Sequence, residues 1–493
     1  MNRFLRPQGS ASSAGCYSAI SRMYDFVILN RFLAVANNTI SDLRARSQEA
    51  RTAAALFVLE QIRAAGHSAY FVGGCVRDLL LGVAPQDYDI TTSAKPYDVL
   101  SLFPDTVAVG AQFGVILVLV RPNETRNAAP IQVEVATYRS DVGYSDGRHP
   151  DAVRYSDTAE EDVQRRDFTI NGLLLDPVSN ELLDYVGGRS DLERRIVRTI
   201  GDPGTRFRED KLRMMRAVRF AARLGYEIES RTMSAIRELA RDIHQVSRER
   251  LRDELDKMLT EGHARRCFEL LDSSGLLIEV LPEVSAMKGV QQPPQYHPEG
   301  DVWIHTLLLL DGLEKGCSKS LAWGVLLHDV GKPPTFRLAP DRIRFDGHAE
   351  VGTRMAEEIC RRLRFSNETT EQVAALVANH MRFGDVRKMK ESTLKRFMRL
   401  PRFEEHLELH KLDCTGSHRD LSLYEFVRAK LESTPEEEMR PAPLITGDDL
   451  IHHGWKPGPQ FRTMLQAVED AQLEGTLHTR EEAISFVETN FAR

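Results

Sequence analysis

Apolar residues recur at helical spacing in RTAAALFVLEQIRAAG, which ends at Gly66, a helix C-terminus signal. The period then changes: the aromatic and β-branched run SAYFVGG reads as a strand closing in a double glycine, and VRDLLLGV as the start of a helix. Three further runs have strand character: YDITTS, the continuous apolar GVILVLV, and the alternating IQVEVATYR at 131–139. The pattern predicts a small mixed α/β unit first. Beyond residue 205 strand signals nearly vanish, and charged amphipathic helices follow through 275 and again from 301 to 435. STPEEEMRPAP at 433–443 reads as a solvated linker before a last helical piece, and no internal repeat is evident.

Length and composition narrow this picture. A chain of 493 residues exceeds one ordinary core, and 42% hydrophobic with 28% charged residues is globular composition. The net charge of -7 argues against a general basic coat for nucleic acid, though not against a local basic cleft. The longest strongly apolar run, VILVLV, is far too short to span a bilayer, so no membrane association is expected. Cys16, Cys75, Cys267, Cys317, Cys360 and Cys414 are scattered, as free thiols in a reducing cytoplasm would be. Residues 1–48, Ser-rich with Arg3, Arg6 and Arg22 ahead of the first acid, Asp25, have a faint transit-peptide character and are expected to be a disordered extension.

The chemistry begins in FVGGCVRDLLLGVAPQDYDITTS. Gly73 and Gly74 sit between strand and helix, where a missing Cβ lets a phosphate approach backbone N–H groups, with Arg77 three residues on. Asp87 and Asp89, two apart on a predicted strand, point to one face. Paired anions call for a cation between them, and a hard ion such as Mg²⁺ suits two carboxylates, waters and substrate phosphates. Glu134 is a candidate third carboxylate, or simply a solvent-facing strand residue.

These residues, followed by RRDFTINGLLLD at 165–176, DYVGGRSDL at 184–192 and REDKLRMMRAVRFAARLGY at 208–226, closely resemble the bacterial class II nucleotidyltransferases, the CCA-adding tRNA nucleotidyltransferases and related poly(A) polymerases. The resemblance implies an α+β chain: a polymerase-β-like nucleotidyltransferase head over 49–200, a helical neck and body over 201–300, an HD domain over 301–415 and a helical tail over 416–493. It departs from the family at Gly172, where Ala is usual, and at Lys211, neither expected to touch the chemistry. Asp87 and Asp89 are the expected Mg²⁺ ligands and, with Glu134, the catalytic set. Gly74, Arg77, Arg166, Asp167, Asp210, Arg213, Arg216 and Arg219 are the expected nucleotide contacts. Within these, Arg166 suits a phosphate and Asp167 a ribose hydroxyl.

Arg213, Arg216, Arg219 and Arg223 recur along one predicted helical face, opposite Leu212, Met215, Val218 and Ala222, so that face should look into a cleft holding triphosphate or RNA. Cytosine and adenine each present an exocyclic amino donor beside a ring-nitrogen acceptor. A carboxylate beside a guanidinium matches that pattern, and Asp210 and Arg213, which the resemblance assigns to the incoming base, lie one turn apart.

A second set lies further on: His305, His328, Asp329, His348, His380 and Asp413 in DVWIHTLLLL, LLHDVGKPPTF, FDGHAEVG, VANHMRFGD and ELHKLDCTG. Imidazoles with two aspartates suit Ni²⁺, Mn²⁺ or Zn²⁺ in a phosphohydrolase. The order resembles the HD domain, which implies a 2′,3′-cyclic phosphate or 2′-phosphate at an RNA end as substrate. The tail, with its G-x-x-P-G-P turn and two helices, resembles the RNA-docking end of HD-containing members. The expected activity is template-independent addition of CCA to tRNA 3′ ends from CTP and ATP, with HD phosphohydrolysis as a second activity. The rivals are a poly(A) polymerase and an HD phosphohydrolase whose head merely binds RNA. The sequence leaves the oligomeric state open.

Overall fold

The computed structural model describes residues 40–110, 114–121, 129–142, 152–295, 297–340 and 342–491. The first helix, α1 (Ile40–Ala64), starts ahead of the boundary expected at residue 49, while residues 1–39 of the expected extension lie outside the described residues. Its apolar side, including Val58, Leu59 and Ile62, is fully buried, as the helical spacing predicts.

The head is a seven-stranded sheet in the order β3-β4-β5-β2-β1-β8-β9, with β1 (Ala69–Val72), β2 (Asp89–Thr92), β3 (Thr106–Gly110), β4 (Val115–Val120), β5 (Ile131–Thr137), β8 (Leu174–Asp176) and β9 (Glu181–Leu183). A separate hairpin of β6 (Arg139–Val142) and β7 (Ala152–Tyr155) lies between them in sequence. All four runs with strand character in the sequence are strands. β8 and β9 were invisible because each is three residues long, too short for a period-2 signal to register. β2 runs antiparallel to β1 and parallel to β5. Between β1 and β2 stands α2 (Gly74–Leu80), α3 (Pro96–Leu102) follows β2, and α4 (Ala159–Gln164) precedes the RRDF turn.

From there the chain is helical. α6 (Pro203–Glu209) and α7 (Leu212–Leu224) form the neck, and α9 (Arg248–Thr260) and α10 (Ala264–Ser273) the body, with α5 (Gly188–Arg194) and α8 (Ser230–Leu239) at their joints. The HD segment carries α11 (Val302–Asp311), α12 (Lys319–Leu327), α13 (His348–Arg362), α14 (Asn367–Asn379) and, after α15 (Glu391–Met398), α16 (Phe403–Gly416). One continuous apolar core runs from Ala54 in α1 through the neck and body to Leu412 in α16, so head, body and HD module are packed as one body. The tail has its own core around Leu450, Trp455, Met464 and Val487. The stretch expected to be a solvated linker is more ordered than its charge implies: Glu436–Met439 is a helical turn, and Met439 is buried against Phe397 and Val427. A single apolar residue among acids and prolines anchors it.

Candidate functional site

The head site is assembled by register. Asp89 opens β2 and lies directly opposite Glu134 on β5, with Val72 of β1 on its other side. Asp87 is exposed, two residues ahead of the strand. Gly73, which caps α2 at φ 79°, faces this corner: a Cβ there would meet Asp89 Oδ2 at 3.6 Å and Arg166 Nη1 at 3.8 Å. Both would be ordinary contacts, so it is the left-handed backbone of this turn that calls for glycine. Burial, reinforced by the like charges of Glu134 and Asp87 and opposed by Arg166, raises the Asp89 carboxyl to about 7. A carboxyl whose ionisation is resisted by two like charges is one that a divalent cation would stabilise as carboxylate, so these residues fit a metal. The head trio is more open than a closed metal cage, since its three carboxylates do not converge to within 4.8 Å of one another. That openness suits Mg²⁺, which keeps waters and substrate oxygens in its shell.

Beneath the sheet, Asp162 is completely buried and accepts from Thr91 Oγ1 at 3.0 Å, Arg165 Nε at 2.9 Å and Arg166 Nη2 at 2.9 Å. It holds both arginines of the RRDF turn in place, Arg166 facing the carboxylates. The Asp167 carboxylate receives two guanidinium hydrogen bonds from Arg216, at 2.7 and 3.0 Å, and two more from Phe168 N and Asn171 Nδ2. Burial alone would raise the Asp167 carboxyl, but Arg216 outweighs it and holds the group below the usual carboxylate range.

Several expected nucleotide contacts are committed elsewhere. Arg77 is buried, donating to Asp78 Oδ1 at 2.7 and 2.9 Å and to Asn171 Oδ1 at 2.7 Å, so it braces the RRDF turn instead of awaiting a phosphate. Arg219 is buried too, 2.6 Å from Glu254 of α9. The open basic face expected along α7 is a row of ion pairs: Arg213 with Glu209, Arg216 with Asp167, Arg219 with Glu254, and Arg223 with Asp78. The opposite face is as expected, with Leu212, Met215, Val218 and Ala222 buried, but Met214, Ala217 and Ala221 are buried as well. A helix enclosed on most sides needs anions for its arginines.

Asp210 and Arg213 do not pair with each other. Asp210 accepts from Leu212 N at 3.0 Å and from Arg250 Nη2 at 2.8 Å, while Arg213 donates to Glu209 Oε2 at 2.6 Å and to the carbonyls of Arg206 and Arg165. Arg250 and Glu254, four apart on α9, were missed because nothing in an R-x-x-x-E on a charged helix separates it from a solvated pair. At Gly172, a Cβ would come within 2.9 Å of Val186 and 3.0 Å of Ile200, so bulky neighbours occupy the space an alanine would need.

In the HD module all six expected ligands converge, on α11, α13, α16 and the turns after α12 and α14. His328, His348 and His380 each donate Nδ1–H to the carbonyl three residues earlier, Val325, Phe345 and Val377, at 2.7–2.9 Å. A carbonyl only accepts, so each Nε2 carries the lone pair and turns inward. The Nε2 atoms of His305 and His328 are 3.3 Å apart, and those of His348 and His380 3.2 Å. His328, Asp329 and His305 are essentially sealed, and Asp413 forms the rim. The six form two candidate ligand groups, His305 with His328 and Asp413, and His348 with His380 and Asp329, and a third candidate group joins His305 to His297 and Glu299. Asp329 reaches both, its Oδ2 lying 3.2 Å from His328 Nε2 and its Oδ1 3.8 Å from His348 and His380. Lone pairs facing one another across a buried carboxylate fit a transition metal. Gly331 of the H-D-x-G-K run permits this closeness, since a Cβ there would sit 2.1 Å from the His348 carbonyl. Lys332, buried, forms an ion pair with Asp329 Oδ2 at 2.7 Å and donates to Gln292 Oε1 at 2.6 Å. Gln292, His297 and Glu299 join the cluster from a proline-rich loop without periodicity, which sequence patterning cannot place.

Head carboxylates on a mixed sheet, an arginine-braced neck and a histidine–aspartate module define a nucleotidyltransferase with an appended HD domain. Three family models match in that order: the poly A polymerase head domain over 69–198, a probable RNA and SrmB-binding site of polymerase A over 225–288, and the HD domain over 302–409. A CCA-adding enzyme of Streptococcus gordonii is 33% identical over 432 residues, covering 87% of this chain and 95% of that protein. Alignments with CCA-adding enzymes of Bacillus pumilus (37% identical) and Geobacillus stearothermophilus (42%) cover 56% and 45% of this chain and span 63% and 53% of those proteins. The crystal structure of the Bacillus stearothermophilus CCA-adding enzyme in complex with CTP superposes with a TM-score of 0.67 at 27% identity, over 89% of this chain and 97% of that one. The Thermotoga maritima CCA-adding enzyme complexed with tRNA shares the fold, with a TM-score of 0.54 at 18% identity over 88% and 93% of the two chains. The chain belongs to the CCA-adding enzyme family. No helix among the described residues is long and apolar enough to cross a membrane.

Proposed function

We propose that this protein adds CCA to the 3′ ends of tRNA from CTP and ATP, without a nucleic-acid template, in the cytoplasm. The observation that carries the reading is the register of Asp89 against Glu134 beside Asp87, in a chain of this family. Asp87 and Asp89 would hold Mg²⁺, which when bound activates the primer hydroxyl and neutralises triphosphate charge. Glu134 shares the corner as a third carboxylate, its role resting on that juxtaposition alone. Arg166, held by Asp162, supplies positive charge beside the acids. The Asp167–Arg216 pair braces the floor on which the nucleotide rests. Asp210, steadied by Arg250, offers a carboxylate that only accepts, matching the amino group of cytosine or adenine. Arg213 offers its remaining donors to the same base edge.

The HD set is read as a second catalytic centre, releasing phosphate from a 2′,3′-cyclic or 2′-phosphorylated RNA end with Ni²⁺, Mn²⁺ or Zn²⁺. The inward Nε2 lone pairs and spanning Asp329 support it. Incubating tRNA that lacks its 3′ terminus with CTP alone, ATP alone and both tests the main reading. Two nucleotides from CTP and three from the mixture are expected, whereas a long adenylate tract from ATP alone would make the chain a poly(A) polymerase. No addition at all would leave the HD phosphohydrolase.

A further inference from the structure

His305 differs from the other HD histidines in how its outer nitrogen is held. His328, His348 and His380 donate Nδ1–H to a backbone carbonyl one turn back in their own helical segment, or in the loop just ahead of it. His305 instead donates Nδ1–H to a side-chain carboxylate, Glu299 Oε1, at 2.7 Å. Glu299 stands in the loop before α11 and is only 8% exposed, and the same oxygen is 2.9 Å from His297 Nδ1. The ring of His297 meets that of His305 edge-on, with centroids 4.8 Å apart. On its other side His305 Nε2 faces Asp413 Oδ1 at 3.1 Å and His328 Nε2 at 3.3 Å.

We propose that Glu299 is a positioning residue for the metal of the HD site: it fixes the ring and tautomer of His305, strengthens that imidazole as a ligand, and is not itself a ligand. The proposal rests on the reading that the HD set holds a divalent transition metal. The physical basis is the carboxylate–histidine–metal arrangement, in which a charged acceptor on the outer nitrogen both orients the ring and makes its inner nitrogen a better donor. A backbone carbonyl does the first and less of the second, so His305 should be the most strongly donating imidazole of the set. His297 groups with Glu299 and His305 but not with His328 and Asp413, and its Nδ1 lies on the Glu299 oxygen that receives His305, so it is given the role of holding Glu299 in place.

The test is Co²⁺ binding to the full-length protein, followed by the visible d–d absorption of the bound ion. Wild type, Glu299→Gln, Glu299→Ala and His297→Ala are compared, with nucleotide addition by the head as a measure of folding. Glu299→Ala should weaken Co²⁺ binding about 10- to 100-fold. Glu299→Gln keeps an acceptor for Nδ1–H without the charge and should fall between it and wild type, while His297→Ala should bind within a fewfold of wild type. Nucleotide addition should be unchanged in all three. Equal Co²⁺ affinity and identical spectra in wild type and both Glu299 variants would overturn the proposal while leaving the metal reading intact. Loss in His297→Ala as large as in Glu299→Ala would overturn it in favour of His297, Glu299 and His305 as a ligand trio. No Co²⁺ binding by wild type would remove the metal reading and the proposal together.

Discussion

Arg250→Met isolates the link between body and neck. The guanidinium of Arg250 on α9 reaches across to Asp210, at the entrance to α7, with Nη2 to Oδ2 at 2.8 Å. Both side chains are largely enclosed, 21% and 17% exposed, so the bond is only partly screened. Methionine keeps the aliphatic stem and removes the charge, leaving Asp210 with a single donor, the Leu212 N–H at 3.0 Å. Stripping a half-buried carboxylate of a charged partner costs about 1–3 kcal/mol, and the remaining exposure puts this pair toward the lower end. That is a small fraction of folding stability but a large one of base selection, because an acceptor displaced by about 1 Å can lose about 100-fold in rate. The assay is single-nucleotide incorporation with each of the four triphosphates on tRNA lacking its 3′ terminus, alongside urea denaturation. Arg250→Met should lower kcat/KM for CTP and ATP by about 10- to 100-fold and narrow their margin over UTP and GTP, with only a modest fall in denaturation midpoint. Wild-type selectivity, or an equal proportional loss for all four nucleotides, would refute the idea that Arg250 steadies a base-reading carboxylate.

Other substitutions probe separate layers. Asp162→Ala should destabilise the protein by about 3–5 kcal/mol, measured by chemical denaturation, because it leaves Arg165 and Arg166 without their buried acceptor. With chelator present, Asp89→Asn should raise Tm at pH 8 and less so at pH 5. The folded carboxyl lies at about 7 and the unfolded one at its ordinary 3.8, so wild-type stability declines as pH rises from about 4 to 7 and stays reduced above it; saturating Mg²⁺ should reverse the ranking. His328→Ala combined with Asp329→Ala should abolish phosphate release from a 2′,3′-cyclic phosphate end while nucleotide addition persists, and parallel loss of both activities would contradict two separate centres. Gly331→Ala, forced against the His348 carbonyl, should lower metal content in elemental analysis of protein purified without chelator.

What the sequence reveals here follows signal length. β1, β4 and β5 carry several apolar residues each and β2 a β-branched Ile-Thr-Thr run, whereas β8 and β9, three residues each, leave no period to read. That Asp87 and Asp89 lie beside one another, and that His305, His328, Asp329, His348, His380 and Asp413 come together, was legible because acids and imidazoles in those orders have few structural uses. The arginines were legible as residues and expected to line a cleft, whereas the structure pairs them with carboxylates. On α7 the ions lie among buried methionine and alanine positions, and their partners Glu209, Asp167, Glu254 and Asp78 come from four separate segments. Pairing across a fold leaves no local pattern, which is also why Arg250, Glu299 and Gln292 escaped notice.

The most direct test of the central claim is addition of CTP and ATP to tRNA lacking its 3′ terminus, in Mg²⁺, by wild type, Asp87→Ala and Asp89→Ala. The account predicts complete CCA addition by wild type and none by either variant, with tRNA affinity and Tm in Mg²⁺-free buffer preserved, since removing an acid from a crowded corner relieves repulsion. Turnover by Asp89→Ala at a near wild-type rate would contradict it.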